Sequence, residues 1–119
     1  MEAPVETFDV VVIGAGPAGE KGAAQAAYFG KKVALVERAS FPGGACANTG
    51  TLPSKTLRET AVHLSGLFAR GLTGVSFDLN RTVTATQLLN RKEMVRSAEH
   101  ERIRRNVGKH SITYVEGSA

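Results

Sequence analysis

The 119-residue sequence holds one cysteine, Cys46. A lone sulfur cannot bridge within its own chain, so a small secreted scaffold stapled by disulfides is excluded. No apolar run reaches the roughly 18 residues that cross a bilayer as a helix, and no membrane role is expected. The opening stretch Met1–Glu6 has two glutamates and no basic segment, so no secretory leader is expected either. His63, His100 and His110 match no metal-ligand spacing, and all three are read as structural, with no metal site. There is no internal repeat and no low-complexity tract. A cytoplasmic setting is the expectation that follows.

An apolar fraction of 42% and a charged fraction of 22% are ordinary for a globular chain. The length allows at most one domain, with a modest core. Seven of the thirteen glycines gather in Gly14–Gly22 and Gly43–Gly50, which points to tight turns and close backbone approach. The net charge of +4 owes much to Arg91, Lys92, Arg96, Arg102, Arg104 and Arg105. No aromatic residues interleave with them to stack bases, so they read as a solvated helix face and no nucleic-acid partner is expected.

Phe8–Ile13 (FDVVVI) is a continuous apolar run ending in glycine, the pattern of a buried parallel strand. Pro17–Phe29 reads as an alanine-rich helix opened by Pro17 and ended by Gly30. Lys32–Glu37 (KVALVE) is a second buried strand, which completes a strand–helix–strand unit. Ala39–Gly50 is expected to be a glycine-rich loop. Thr51–Phe68 is expected to be helical, with Leu57, Ala61, Leu64 and Phe68 near helical spacing. Arg70–Arg81 reads as irregular. Thr84–Val107 is a long amphipathic helix whose start, Thr84-Ala85-Thr86-Gln87, fits a capping box. Leu88, Val95 and Ile103 mark its apolar stripe. Ser111–Glu116 (SITYVE) is a third short strand. A doubly wound sheet needs more parallel strands than three, so the natural protein is expected to continue past Ala119.

Gly14-Ala15-Gly16-Pro17-Ala18-Gly19 is a G-x-G-x-x-G match between a strand and a helix, the context that gives this motif meaning. Gly14 permits the turn, Gly16 lets a pyrophosphate approach the backbone, and Gly19 lets the helix pack on the sheet. The helix start then offers free N–H groups and a positive dipole end to the phosphates. Glu37 lies eighteen residues beyond Gly19. A carboxylate there can accept from an adenosine ribose and would repel a 2′-phosphate, which disfavours NADP at this site. These features call for an ADP-containing dinucleotide and leave FAD and NAD both open.

A second stretch, Gly43-Gly44-Ala45-Cys46-Ala47-Asn48-Thr49-Gly50-Thr51-Leu52-Pro53-Ser54-Lys55, resembles the motif GG-x-C-x-x-x-x-C-x-P-S-K of the pyridine nucleotide–disulfide oxidoreductases, the family of dihydrolipoyl dehydrogenase, glutathione reductase and mercuric reductase. The resemblance runs from Phe8 to Ala119. It implies an α/β fold, a Rossmann-like FAD-binding βαβ unit with additional helices, truncated after its third strand. Residues 1–119 would form the N-terminal part of the FAD-binding domain, with the NAD(P)-binding and dimerisation domains outside the chain.

The second family cysteine falls on Thr51, so the redox disulfide cannot form. A dithiol–disulfide enzyme needs two sulfurs, one for substrate and one for the flavin. Threonine at this place, with Leu52-Pro53-Ser54-Lys55-Thr56-Leu57-Arg58 following, resembles the soluble FAD-containing pyridine nucleotide transhydrogenases within the family. That resemblance implies hydride transfer between NADPH and NAD through FAD, and a homodimer.

By position, the resemblance puts Gly14, Gly16, Pro17 and Ala18 around the pyrophosphate. It puts Glu37 and Arg38 at the adenosine ribose, and the backbone of Gly117–Ala119 at the adenine. Gly43, Gly44, Ala45, Cys46 and Thr51 would follow the ribityl chain and the flavin. Lys55 would stand beside the flavin ring, where a cation favours the reduced, anionic form. Cys46 remains open between an inert thiol and a reactive one. Two further readings stay open: a dihydrolipoyl dehydrogenase-like reductase, and a non-catalytic dinucleotide-binding or redox-sensing module.

Overall fold

The computed structural model describes residues 5–69 and 84–119, the side chains of 67–69 excepted. The elements run β1 (Val10–Ile13), α1 (Pro17–Tyr28), β2 (Val33–Glu37), α2 (Gly44–Asn48), α3 (Thr51–Ala69), α4 (Ala85–Lys109) and β3 (Thr113–Glu116). The strands form one parallel sheet in the order β1-β2-β3. Strand β2 is thus central, and its five residues VALVE are the most buried of the three strands. The expected irregular stretch Arg70–Arg81 lies outside the described residues.

Register assigns the faces. Val10 pairs with Val33, Val12 with Leu35, and Leu35 with Tyr114. These residues join Ala23 and Ala24 of α1 and Ile103 and Val107 of α4 in one core. Alanines on α1 let that helix lie close on the sheet. The alternate positions Val11 and Ile13 are 55% and 70% exposed. The expectation that the first strand is buried throughout is corrected here. Its apolar composition suits two covered faces, and among the described residues α1 and α4 cover one.

Helix α4 begins with the expected capping box. The Thr84 side chain accepts from Gln87 N–H, and the Gln87 side chain accepts from Thr84 N–H. Two free N–H groups of the first turn are thereby satisfied. The expectation of a loop over Ala39–Gly50 is corrected in part, because Gly44–Asn48 forms the short helix α2. Asn48 Nδ2–H bonds to the Pro42 and Gly44 carbonyls around this turn, and the glycine content had hidden it.

Gly19 stands where α1 crosses β1. A Cβ at this position would come within 1.8 Å of the Gly14 carbonyl oxygen. No rotamer relieves a backbone contact, so the helix would have to move away from the strand. Gly19→Ala is expected to cost about 2–3 kcal/mol, read from the urea midpoint. A variant as stable as the native protein would show that helix and strand have room to part.

Candidate functional site

Two glycine loops, far apart in sequence, meet at the end of the sheet. The first runs from β1 into α1. Gly14 N–H donates to the Val36 carbonyl at 2.7 Å, which binds the loop to β2. Gly16 is the N-cap of α1 and Pro17 its first residue, and no side chain caps the helix. A helix start left without a side-chain partner offers its N–H groups to an anion.

The second loop follows β2 and leads into α2. Gly43 N–H donates to the Ala15 carbonyl at 2.7 Å. Gly43 has φ +104°, a conformation open to glycine at little cost. A Cβ on it would lie 2.5 Å from Ala47 Cβ. A Cβ on Gly44 would lie 3.1 Å from Gly16 Cα. The two loops therefore touch backbone to backbone at Gly16 and Gly44, where a side chain on Gly44 would push them apart, while one on Gly43 would strike Ala47 of α2.

Glu37, the last residue of β2, is 8% exposed and ties both loops together. Its Oε2 accepts from Ala15 N–H at 2.8 Å, and its Oε1 accepts from Ala39 N–H at 2.9 Å. The Ala39 hydrogen bond is the chief cause that holds its carboxyl below the usual glutamate range, and Ala15 adds to it against the effect of burial. The Glu37 carbonyl accepts from Gly117 N–H at 2.8 Å, which draws in the end of β3. Here Ile13, Gly14, Glu37, Arg38, Gly117 and Ala119 line a groove of about 240 Å³. Five expected site residues, Gly14, Glu37, Arg38, Gly117 and Ala119, are thus brought to one place. Arg38 is exposed at its edge.

The remaining expected residues lie along the second loop and the start of α3. Cys46 is a half-buried free thiol in α2. Thr51 is the exposed first residue of α3, and Lys55 is exposed one turn later. Lys55 Nζ is 3.7 Å from Glu59 Oε1, an exposed pair of small energetic weight. Pro17 and Ala18 are exposed at the start of α1.

Sequence reading missed the support behind the second loop. His100 of α4 is 4% exposed and stacks on Phe41 at 4.9 Å. Its Nε2 lies 2.7 Å from Asn48 Oδ1. Asn48 Nδ2 donates to the Pro42 and Gly44 carbonyls, so Oδ1 is the acceptor and His100 donates from Nε2. Asn48 was visible inside the motif, but nothing in the sequence linked it to a histidine 52 positions on. Arg102 also departs from expectation. It is only partly exposed, and its guanidinium reaches the buried Glu20. Among the described residues no cluster of His, Cys, Asp or Glu could hold a metal ion, and no helix is long and apolar enough to cross a membrane.

A parallel βαβ unit, an uncapped helix start at a glycine loop, and a carboxylate at the end of the second strand define a Rossmann-like dinucleotide-binding unit. Residues 8–118 match the family model described as pyridine nucleotide-disulphide oxidoreductase, and the chain belongs to that family. Among its relatives, a soluble pyridine nucleotide transhydrogenase of Mycobacterium bovis is 42% identical over 110 residues, covering 92% of this chain and 24% of the relative. A protein of the same name from Chromohalobacter salexigens is 59% identical over 55 residues, 46% of this chain and 12% of that one. The chain thus spans about a quarter of the length of the mycobacterial relative. Among solved structures, the Cu(II) complex of the HOCl-induced flavoprotein disulfide reductase RclA from Escherichia coli superimposes with a TM-score of 0.76 at 26% identity, over 97% of this chain and 22% of that one.

Burial lowers the basicity of His100, and the nearby charges of Arg96 and Arg104 lower it further, against smaller opposing effects of Glu93 and Glu99. Below about pH 6.5 the unfolded chain binds a proton that the folded chain resists, so stability falls as pH drops through that region. We expect the native protein to lose stability between pH 7.5 and 5.5, and His100→Gln to lose less over the same interval. Urea unfolding at the two pH values measures this. An equal loss in both proteins would remove His100 as the cause.

Proposed function

We propose that this chain is the N-terminal part of the FAD-binding domain of an oxidoreductase that passes hydride between NADPH and NAD. The observation that carries the reading is the contact between the two glycine loops. It brings two stretches of bare backbone together beside an uncapped helix start, with the Glu37 carboxylate and its groove next to the first of them. A dinucleotide with a diphosphate and a ribose fits that set of groups.

In this reading Gly14, Gly16, Pro17 and Ala18 bound the diphosphate, which the N–H groups and dipole of α1 attract. Glu37 accepts from the adenosine ribose through lone pairs that Ala15 and Ala39 leave free. Arg38 and the backbone of Gly117–Ala119 border the adenosine, and Gly43, Gly44 and Ala45 run along the ribityl chain. When bound, FAD supplies the two-electron chemistry, and the protein supplies orientation and charge. Lys55 brings a positive charge to the flavin end.

Thr51 supports the transhydrogenase reading over that of a disulfide reductase. Cys46 is the chain's one cysteine, and a hydroxyl at residue 51 cannot carry electrons. The partners in this reading are small nicotinamide nucleotides and, in the assembled protein, a second copy of the chain. The setting is cytoplasmic.

Two outcomes follow. Glu37→Gln removes the charge and turns one of the two acceptors into an amide NH2 group that faces the N–H of Ala15 or Ala39. Loss of charge-assisted hydrogen bonding costs roughly 1.5–3 kcal/mol, so FAD should dissociate on dialysis of the variant at concentrations where the native protein keeps it. Unchanged retention would remove Glu37 from the site. Next, the complete natural protein should reduce an NAD analogue with NADPH and turn over neither dihydrolipoamide nor glutathione disulfide. Cys46→Ser should keep most of that activity. A loss beyond about a hundredfold, or roughly 2.7 kcal/mol of barrier, with FAD still bound, would give Cys46 a chemical role and favour the redox-module reading.

A further inference from the structure

Glu20 follows Gly19 directly and is the fourth residue of α1. Its side chain is 1% exposed. Arg102 of α4 donates to both of its oxygens, from Nη1 to Oε1 at 3.2 Å and from Nη2 to Oε2 at 3.0 Å. Asn106 Nδ2 donates to Oε1 at 2.6 Å. Arg102 also donates from Nε and Nη2 to Glu99 at 3.0 and 2.8 Å. Lys21 Nζ is 3.5 Å from Glu20 Oε1. The cluster therefore balances two carboxylates against two cations. None of its members lines the groove at Glu37.

A buried carboxylate here suits the start of its own helix but competes with any other anion drawn to it. That start attracts anions through free N–H groups and a positive dipole end. At 1.5 Å of rise per residue, the Glu20 Cα lies only about 6 Å along the axis from Gly16, inside the screening length of about 10 Å at 0.1 M salt. Protein between them screens less than water does. Left unpaired, the Glu20 charge would oppose a diphosphate.

We propose that Arg102 is a positioning residue for the dinucleotide diphosphate: by clasping the Glu20 carboxylate from α4, it cancels a negative charge in the first turn of α1 that would repel the phosphates. The proposal rests on the reading that this loop takes FAD. Burial pushes the Glu20 carboxyl up, but hydrogen bonds from Arg102 and Asn106 and the charges of Arg102 and Lys21 outweigh it and hold the group below the usual range. Without Arg102 the burial remains, so Glu20 would titrate at higher pH. A salt bridge that served only to tie two helices would have no effect on ligand affinity that depends on pH. Buried ion pairs in general add little net stability, since desolvation offsets attraction.

The test is FAD affinity by flavin fluorescence in the complete natural protein, from pH 5.5 to 8.5, with ADP as a second probe that has the diphosphate and no flavin. The native protein and Arg102→Lys should bind with affinities that agree within about threefold and change little with pH. Arg102→Gln should bind about tenfold or more weakly at pH 8.5 than the native protein, and recover as pH falls and Glu20 takes up a proton. Glu20→Gln/Arg102→Gln should return to within about threefold of native at every pH. Glu99, Lys21 and His100 are kept in all of these, and Arg102→Gln and the double variant lose the same Arg102–Glu99 contact, so the difference between those two isolates the charge of Glu20. A native protein that binds neither FAD nor ADP would sink the reading of the site itself. Native binding matched by Arg102→Gln at pH 8.5, or a double variant as weak as the single one, would overturn the role of Arg102. Should Arg102→Gln fail to fold, Glu20→Gln decides: affinity at or above native supports charge cancellation, and weaker binding overturns it.

Discussion

The hydrogen bond from Gly43 N–H to the Ala15 carbonyl, with the near contact of Gly16 and Gly44 around it, is the constraint on which the site depends. It joins two loops that leave adjacent strands. Once they touch, the start of α1 and the start of α2 face one region. A side chain on Gly44 is excluded from the contact by geometry, since its Cβ would lie 3.1 Å from Gly16 Cα, and one on Gly43 would strike Ala47 of α2. Glu37 reinforces the join from below, with one carboxylate oxygen on each loop. A shift of either loop would strand an N–H or a charge in a buried place, at a cost of about 1–3 kcal/mol per group.

Helix α4 braces this arrangement from the side. Three of its residues reach different parts of the site. Arg102 holds Glu20 in α1, His100 holds Asn48 in α2, and Ile103 packs under Gly43. The same helix closes the core over β2 through Ile103 and Val107. Packing and polar contacts thus run along adjoining stripes of one helix, so the orientation of α4 fixes the orientation of both loops.

The scaffold was legible because its signals are local. Apolar runs, the proline at the start of α1 and the Thr84–Gln87 capping box each state their structure within a few residues. The glycine motif carried its own context, a strand before and a helix after. The resemblance to a known family then placed Glu37, Arg38 and Gly117–Ala119, and the fold brings these to one groove. What stayed hidden depends on contacts across long stretches of sequence. Arg102 looked like one of six basic residues on a solvated face, because its partner Glu20 lies 82 positions earlier. His100 gave no sign of Asn48. The short helix α2 was masked by glycines that serve the loop before it. The exposure of Val11 and Ile13 was equally hidden, since apolar pattern tells which faces suit burial and not which are covered.

Whether the paired glycine loops hold one dinucleotide between them is decided by a crystal structure of the complete natural protein with FAD. Diphosphate oxygens should lie within hydrogen-bonding distance of the N–H groups at the start of α1, with a ribose hydroxyl on Glu37 and the bond from Gly43 to Ala15 intact. A cofactor seated elsewhere, or loops that part to admit it, would rule this out.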